Sequence, residues 1–545
     1  MTKQYQIKYA ELKAVEDVRV QSILQLKSDF KNNITIKNNK YYDTRVYISS
    51  NGDAFYPYMF SKTLEHDTTT GFPLKDDVDK IIEALNEGTE ESLDAIPQSA
   101  SSTRRLEGVL SCSSFNLMGT DSVVYAPTNF FHVDTEEGSF EMAEVYARSL
   151  LRDVNFKNYS NNDSSAIMTD LNTYTLKTSA PVDNGNITAK TLFRGTGQDE
   201  TIGPYISQYL LCPFNYGNMP IEQKFTPEND QPQTLTKAEW LNIQNGGVSG
   251  SIVKTNPEYI WNGRVLGSKV HNDPLFQFYY NAALISIQNG IKPETFHHAK
   301  TSAWTSGGSP SLFASVAHVC QGALRCAWNA KYNLGMKIRP EVYAARLALQ
   351  EEIGFDSSKV PGLDSMASLM TQGIKTKIKA KSISKGGPGK LYLLLQFPEG
   401  SPTHPSWCAG HAAVAGAATT VLKAMLNCHE PDGVTRKAWP IQAKEARDQS
   451  VLQNYTEDDA SQMTIIGELN KLGSNVALGR DFAGVHYRCD GDCGIKLGED
   501  YAITYLIDVA KEYHESQNGQ FKGWLLEKYD GSRVKITSTG ATAIA

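Results

Sequence analysis

The sequence predicts a mainly α-helical protein: helical bundles joined by long loops, with few short strands. Three observations carry that reading. Long stretches of the C-terminal half place apolar residues at 3–4 spacing, alternating runs are scarce, and no strand–helix alternation of a nucleotide-binding sheet is present. Residues 1–110 are polar, with one helical stretch near 8–30 and turn-rich segments such as SSNGDAFYPY. Within 111–300, FEMAEVYARSLLRDV sets Met142, Val145, Tyr146 and Leu150 on one helical face. NGGVSGS and FTPENDQPQ read as surface loops. Beyond 300, SLFASVAHVCQGALRCAWNAKY, HAAVAGAATTVLKAML and ITYLIDVAKEYH are helical patterns. LYLLLQF (391–397) is the main strand candidate. RGTGQDETIG and SKGGPGK lack the glycine spacing of dinucleotide and P-loop motifs and read as turns. Two regions follow: 1–300, helical and loop-rich with no catalytic motif and suited to subunit contacts, and 301–545, a helical-bundle region carrying the chemistry. Together they form one integrated unit.

Composition narrows the class. In 545 residues, 53 Lys and Arg oppose 60 Asp and Glu, a net charge of −7. That mild acidity argues against a nucleic-acid binder, which carries a basic face. The opening MTKQYQIKYAELKAVEDVRV contains no apolar core of a signal peptide, and no run of about 18 apolar residues reads as a membrane span. The compartment stays open. The eight cysteines do not form paired CxxC knuckles, so a structural zinc is not expected. Cys320/Cys326 and Cys489/Cys493 are close enough for local disulfides, and reduced buried thiols fit equally well.

Three C-terminal segments concentrate chemistry. WNAKYNLGMKIRPE holds Lys331 and Arg339, SPTHPSWCAGHAAVAGA holds His404, Gly410 and His411, and LGRDFAGVHYRCDG holds Arg480, His486 and Asp490. Singly, each residue has a bland structural explanation. Together they supply what a buried, highly charged tetrahedral oxyanion requires, because a lone buried ion is prohibitively costly. Lys331, Arg339 and Arg480 bring three positive charges, the arginines as planar forks matched to pairs of oxygens. Gly410 and His411 lie where a loop enters an alanine-rich helix, whose free N–H groups and dipole favour an anion. Proline after Arg339 pushes that residue out of helical geometry, so it can turn back toward an anion also reached from Lys331. On a straight helix the two would be offset by about 80°. Asp490, four after His486, suits a carboxylate holding the Nδ1 proton so that Nε2 faces the anion; a surface pair with a nearby Lys or Arg is the alternative.

These three blocks resemble the signature of the vanadium haloperoxidase and type-2 phosphatidic acid phosphatase superfamily. Within it the chain is most similar to bromoperoxidases of red algae and their cyanobacterial relatives. FSKTLEHD, YARSLLRDVNF, GPYISQYLL, YYNAALIS and GVHYR extend the likeness over nearly the whole chain. The resemblance implies two four-helix bundles and one vanadate per subunit, bound by Lys331, Arg339, Gly410, His411, Arg480 and His486. His486 would be the axial vanadium ligand, Asp490 its partner, and His411 the acid/base group that takes a proton from hydrogen peroxide. Lys331 would polarise the peroxide, so His411, Lys331 and His404 form the catalytic set. The activity implied is peroxide-dependent oxidation of bromide and iodide, with hypohalous acid halogenating small organic substrates. His404 and Trp328 would line the halide pocket. A histidine that tunes His411 and a purely structural histidine are both open readings of His404. Trp328 resembles a tryptophan of fungal chloroperoxidases where algal enzymes tend to have arginine, which leaves chloride open. Calcium, held by some algal relatives, has no assignable ligand set. Homo-oligomers from dimer to dodecamer fit the resemblance.

Two departures stand out. Ala409 replaces the family serine before Gly-His, and Gly479 replaces the serine before the second arginine. Lys331 and Arg339 are separated by seven residues, as in the algal branch. The competing readings are an acid phosphatase on the same fold, with His486 as nucleophile, and a non-catalytic scaffold retaining the anion pocket.

Overall fold

The computed structural model describes residues 42–122, 125, 127, 130–228, 234–293, 300–355 and 359–544. The helical stretch expected near 8–30 lies outside them. The helices that build the site are, in chain order, α1 (Glu136–Leu151), α2 (Gly263–Lys269), α3 (Ser309–Trp328), α4 (Pro340–Ile353), α5 (Gly410–Met425), α6 (Ile465–Ala483) and α7 (Arg488–Glu512). Shorter helices and two-residue to five-residue strands fill the connections. Among the described residues no helix is long and apolar enough to cross a membrane.

Helix α1 begins where Thr135 caps it by accepting from the Gly138 N–H, four residues before the predicted start. Its buried face includes the predicted Met142, Val145 and Tyr146. Helix α3 buries Leu312, Val316, Val319, Ala323 and Ala327 at helical spacing. It packs with α6 and α7 around α5 at the centre. The alanine-rich sequence of α5 explains that position. Small side chains let α7 approach so closely that a methyl group on Gly416 would sit 2.0 Å from the Ile495 carbonyl oxygen, and one on Gly498 would sit 2.0 Å from that of Ala413. The largest apolar cluster runs from Phe55 to Ile536 and therefore draws on both halves of the chain.

The strand expectation for 391–397 is corrected. Leu391–Phe397 is buried but unpaired with any strand. Its carbonyls are served by side chains instead: Tyr146 Oη donates to Leu391 O at 2.5 Å and Arg152 Nη2 to Leu394 O at 2.9 Å. With such partners, the backbone of a buried apolar run needs no sheet. The three-stranded antiparallel sheet lies elsewhere, in β1 (Trp524–Glu527), β2 (Arg533–Thr537) and β3 (Gly540–Ile544). Its first strand turns Trp524 and Leu526 inward at period two, against α5. All eight cysteines are buried and none is disulfide-bonded, so neither local disulfide is present.

Close packing makes a testable contrast. Gly416→Ala and Gly498→Ala are each expected to lower stability in urea denaturation by about 1–3 kcal/mol, the usual cost of overpacking. Gly473→Ala in α6 should be neutral or stabilising by up to about 1 kcal/mol, because the nearest neighbour of its added methyl is Thr419 at 3.7 Å.

Candidate active site

The chain between α3 and α4 brings two cations to one loop. After Trp328 the helix widens into a π-turn over Asn329–Gly335, and Met336 adopts a left-handed conformation (φ 45°) that reverses direction. Arg339 follows in extended geometry (φ −80°, ψ 158°) and Pro340 starts α4. Lys331 Nζ then donates to the carbonyls of Pro405 and Ser406, both at 2.8 Å. Arg339 donates to His404 O through Nε (3.0 Å) and Nη2 (2.8 Å), and to Val485 O through Nη1 (2.8 Å). Helix α5 opens at Gly410 with Ala409 as its N-cap, which offers its first N–H groups no side-chain acceptor.

Lys331, Arg339 and Arg480 are buried. Among the described residues none of them has a carboxylate oxygen within 4.0 Å. Arg480 Nη1 donates to Val270 O at 2.6 Å, while its Nε has no hydrogen-bond partner. Burial and the charge of Arg339 push the Lys331 ammonium well below its usual range. Burial and Arg480 bring Arg339 down to about 10, and burial also lowers Arg480. Desolvation costs several kcal/mol per ion when no opposite charge repays it, so this cluster is built to receive an anion.

His486 stands among them. Its Nδ1 lies 3.0 Å from Asp490 Oδ2, and because the carboxylate only accepts, the ring proton resides on Nδ1. Nε2 keeps its lone pair, 2.9 Å from Arg339 Nη1. Burial first, then the Arg339 charge, hold the imidazole well below its ordinary pKa and so neutral. A neutral imidazole oriented by a carboxylate is the form that ligates metals. Asp490 is fully buried, which removes the surface-pair reading. Ser406 Oγ donates to its Oδ2 and Lys337 Nζ to its Oδ1 at 3.0 Å. Burial alone would raise this carboxyl, but Lys337, His486 and Ser406 outweigh it and hold it far below the usual carboxylate range.

The remaining predicted residues line one cavity of about 310 Å³, among them Trp328, His404, Gly410, His411, Arg480 and His486. His411 Nε2 is 2.8 Å from Asp273 Oδ1. Burial raises the Asp273 carboxyl, yet the charge and hydrogen bond of His411 bring it below its normal value. Arg339 Nη2 donates to His404 Nδ1 at 2.9 Å, which leaves the His404 proton on Nε2, 3.6 Å from Glu107. The Trp328 and His404 rings lie 4.7 Å apart. Among the described residues no group of three or more His, Cys, Asp or Glu side chains could hold a metal ion.

No family model matches the chain. The chain is 26% identical to a vanadium-dependent bromoperoxidase of Corallina officinalis, an alignment covering 89% of this chain and 92% of that protein. A vanadium-dependent bromoperoxidase of Ascophyllum nodosum is 27% identical, with 74% and 72% covered. The homohexameric structure of the second vanadate-dependent bromoperoxidase from Ascophyllum nodosum superposes with a TM-score of 0.83 at 26% identity, covering 90% of this chain and 86% of that one. In sequence and in fold the chain is similar to vanadium-dependent bromoperoxidases over most of its length.

One departure from the haloperoxidase signature has a steric cause. A Cβ on Gly479 would lie 2.8 Å from Val270 Cγ2 and 3.2 Å from Leu266 Cγ, so the approach of α2 leaves no room for a serine. Sequence reasoning missed Asp273, Ser406 and Lys337. Lys337 carried a usable signal, since i and i+2 in an extended segment share a side and Arg339 was already assigned. Asp273 carried none: it reaches His411 across 138 residues. The buried pair tying Lys337 to Asp490 should dominate local stability. Lys337→Met is expected to cost about 3–5 kcal/mol in urea denaturation, as for removal of one partner of a buried ion pair. A loss below about 1 kcal/mol would show that the pair does not anchor the site.

Proposed function

We propose that this chain is a vanadate-dependent haloperoxidase that oxidises bromide and iodide with hydrogen peroxide, and that hypohalous acid is its product. The overall reaction is H2O2 + X− + H+ → HOX + H2O. The observation that carries the reading is the cluster of three buried cations, none paired to a carboxylate, around a neutral imidazole whose Nε2 lone pair is free of a proton. Vanadate, a tetrahedral oxyanion, fits this donor set. Lys331, Arg339, Arg480 and the N–H groups at Gly410 and His411 would hold its oxygens, and His486 Nε2 would bind the vanadium. When bound, the group supplies the Lewis acid that activates peroxide toward halide.

The other residues have proton and positioning roles. His411 takes the peroxide proton and returns it to the departing oxygen, while Asp273 fixes its ring through Nε2. Lys331 stabilises negative charge developing on oxygen. Trp328 and His404 form the wall toward which a halide would approach, and the cavity of about 310 Å³ admits only small organic substrates. Bromide and iodide suit this wall, and Trp328 extends the proposal to chloride. A homo-oligomer is also proposed, supported by the homohexameric relative, with residues 1–300 supplying subunit contacts.

Purified apo-protein should brominate a phenolic dye with peroxide only after orthovanadate is added. Vanadate-independent hydrolysis of nitrophenyl phosphate with no bromination would overturn the reading in favour of a phosphatase. His486→Ala should lose bound vanadium, measured by elemental analysis. Asp273→Ala should retain it while kcat falls about 10–100-fold, the range for residues that orient a reactive group.

A further inference from the structure

Behind the proposed anion pocket, α7 presents two cysteines to a second cavity of about 780 Å³, whose wall also includes Asp492, Lys496, Lys528 and Tyr529. Cys489 turns to the Lys337 ammonium at 3.1 Å. One helical turn later, Cys493 turns instead to Cys408, with the two sulfurs 2.7 Å apart. This proximity does not depend on side-chain choice alone. The Ala409 N–H donates to Asp490 O at 2.9 Å, and a Cβ on Gly494 would lie 2.8 Å from Ala409 O, so the two backbones are already in contact there. Cys408 is completely buried, whereas Cys493 retains 5% exposure at the cavity wall.

We infer that Cys408 and Cys493 form a peroxide-driven, reversible disulfide that ties the segment entering α5 to α7. The chemistry balances with hydrogen peroxide as the oxidant. The Cys493 thiolate attacks one peroxide oxygen, the O–O bond breaks, and hydroxide leaves, giving a sulfenic acid. The Cys408 thiol then attacks that sulfur, forming the S–S bond and releasing water. Two thiols are oxidised, and the peroxide is reduced to two waters once hydroxide takes up the proton lost by Cys493. Cys493 is the residue oxidised first because it alone of the pair borders the cavity. The bridge is read without vanadate or halide.

The test uses the full chain, reduced, desalted under inert gas and held near pH 8.5, where an ordinary thiol is about half ionised. Denatured thiol titration should find all eight cysteines before treatment. After equimolar peroxide and a catalase quench it should find two fewer, with both restored by dithiothreitol. Peptide mass mapping should show one cross-link, joining the Cys408 and Cys493 peptides. In C408S the Cys493 sulfenic acid should persist and be trapped by dimedone, and in C493S neither bridge nor trap should appear at these positions. Retention of all eight thiols, a cross-link between other cysteines, or oxidation of Cys493 without a bridge in the wild type would each overturn the proposal.

Discussion

The carboxylate of Asp490 ties together three separate parts of the chain: it accepts from the Lys337 ammonium, the Ser406 hydroxyl and the His486 Nδ1–H, with the Tyr487 N–H as a further donor. Each donor belongs to one of the segments that converge on the pocket. Lys337 lies in the extended stretch delivering Arg339, Ser406 lies in the loop that receives Lys331 and leads to α5, and His486 immediately precedes α7. Burying a carboxylate is affordable only where its partners are this complete. The same bonds fix which nitrogen of His486 is protonated. One interaction thus sets both the register of the segments and the chemical form of the imidazole.

Around that hub the charges are deliberately unbalanced. Asp490 is consumed by Lys337, which leaves Lys331, Arg339 and Arg480 bonded to neutral carbonyls or histidine nitrogens. Compare Glu144, close by on α1, which gives both Arg148 and Arg488 a carboxylate partner. Both clusters are buried, and they differ in whether protein supplies the anion. Where it does, the result is a structural clamp. Where it does not, burial and the repulsion among the cations lower the pKa of Lys331 and Arg339.

The legible part of the site was the part written in local sequence. Arg339 before proline, Gly410 at the head of an alanine-rich helix, and Asp490 four residues after His486 are spacings whose geometry follows from backbone sterics and helical pitch. All three stand in the structure where those rules put them. Asp273 and Ser406 act across long sequence separations, where no periodicity applies. The fold shows the same division. Helices α3, α5 and α7 were visible in apolar spacing, whereas LYLLLQF misled because a buried apolar run has the same pattern whether strands or side chains satisfy its carbonyls. The local cysteine pairings failed for a related reason: on α7, Cys489 and Cys493 have separate partners, one of them 85 residues away.

The two departures from the family signature follow from packing, and their energetic weight is small beside the charges that remain. At Gly479 the neighbouring α2 excludes a side chain. At position 409 the alanine belongs to an apolar cluster with Ala412, Ala477 and Ile495. Each lost serine removes one neutral hydroxyl donor to an oxyanion, and a hydrogen bond from such a group to a charged acceptor is worth about 1.5–3 kcal/mol. Three buried cations and a free helix N-terminus remain, each a comparable or stronger anchor because its desolvation has already been borne by the fold. The pocket has therefore exchanged two hydroxyls for closer helix packing while keeping its charge. That exchange leaves intact the charge that would hold an anion, kept in place by the Asp490–Lys337 pair, with hydroxyl donors as refinement.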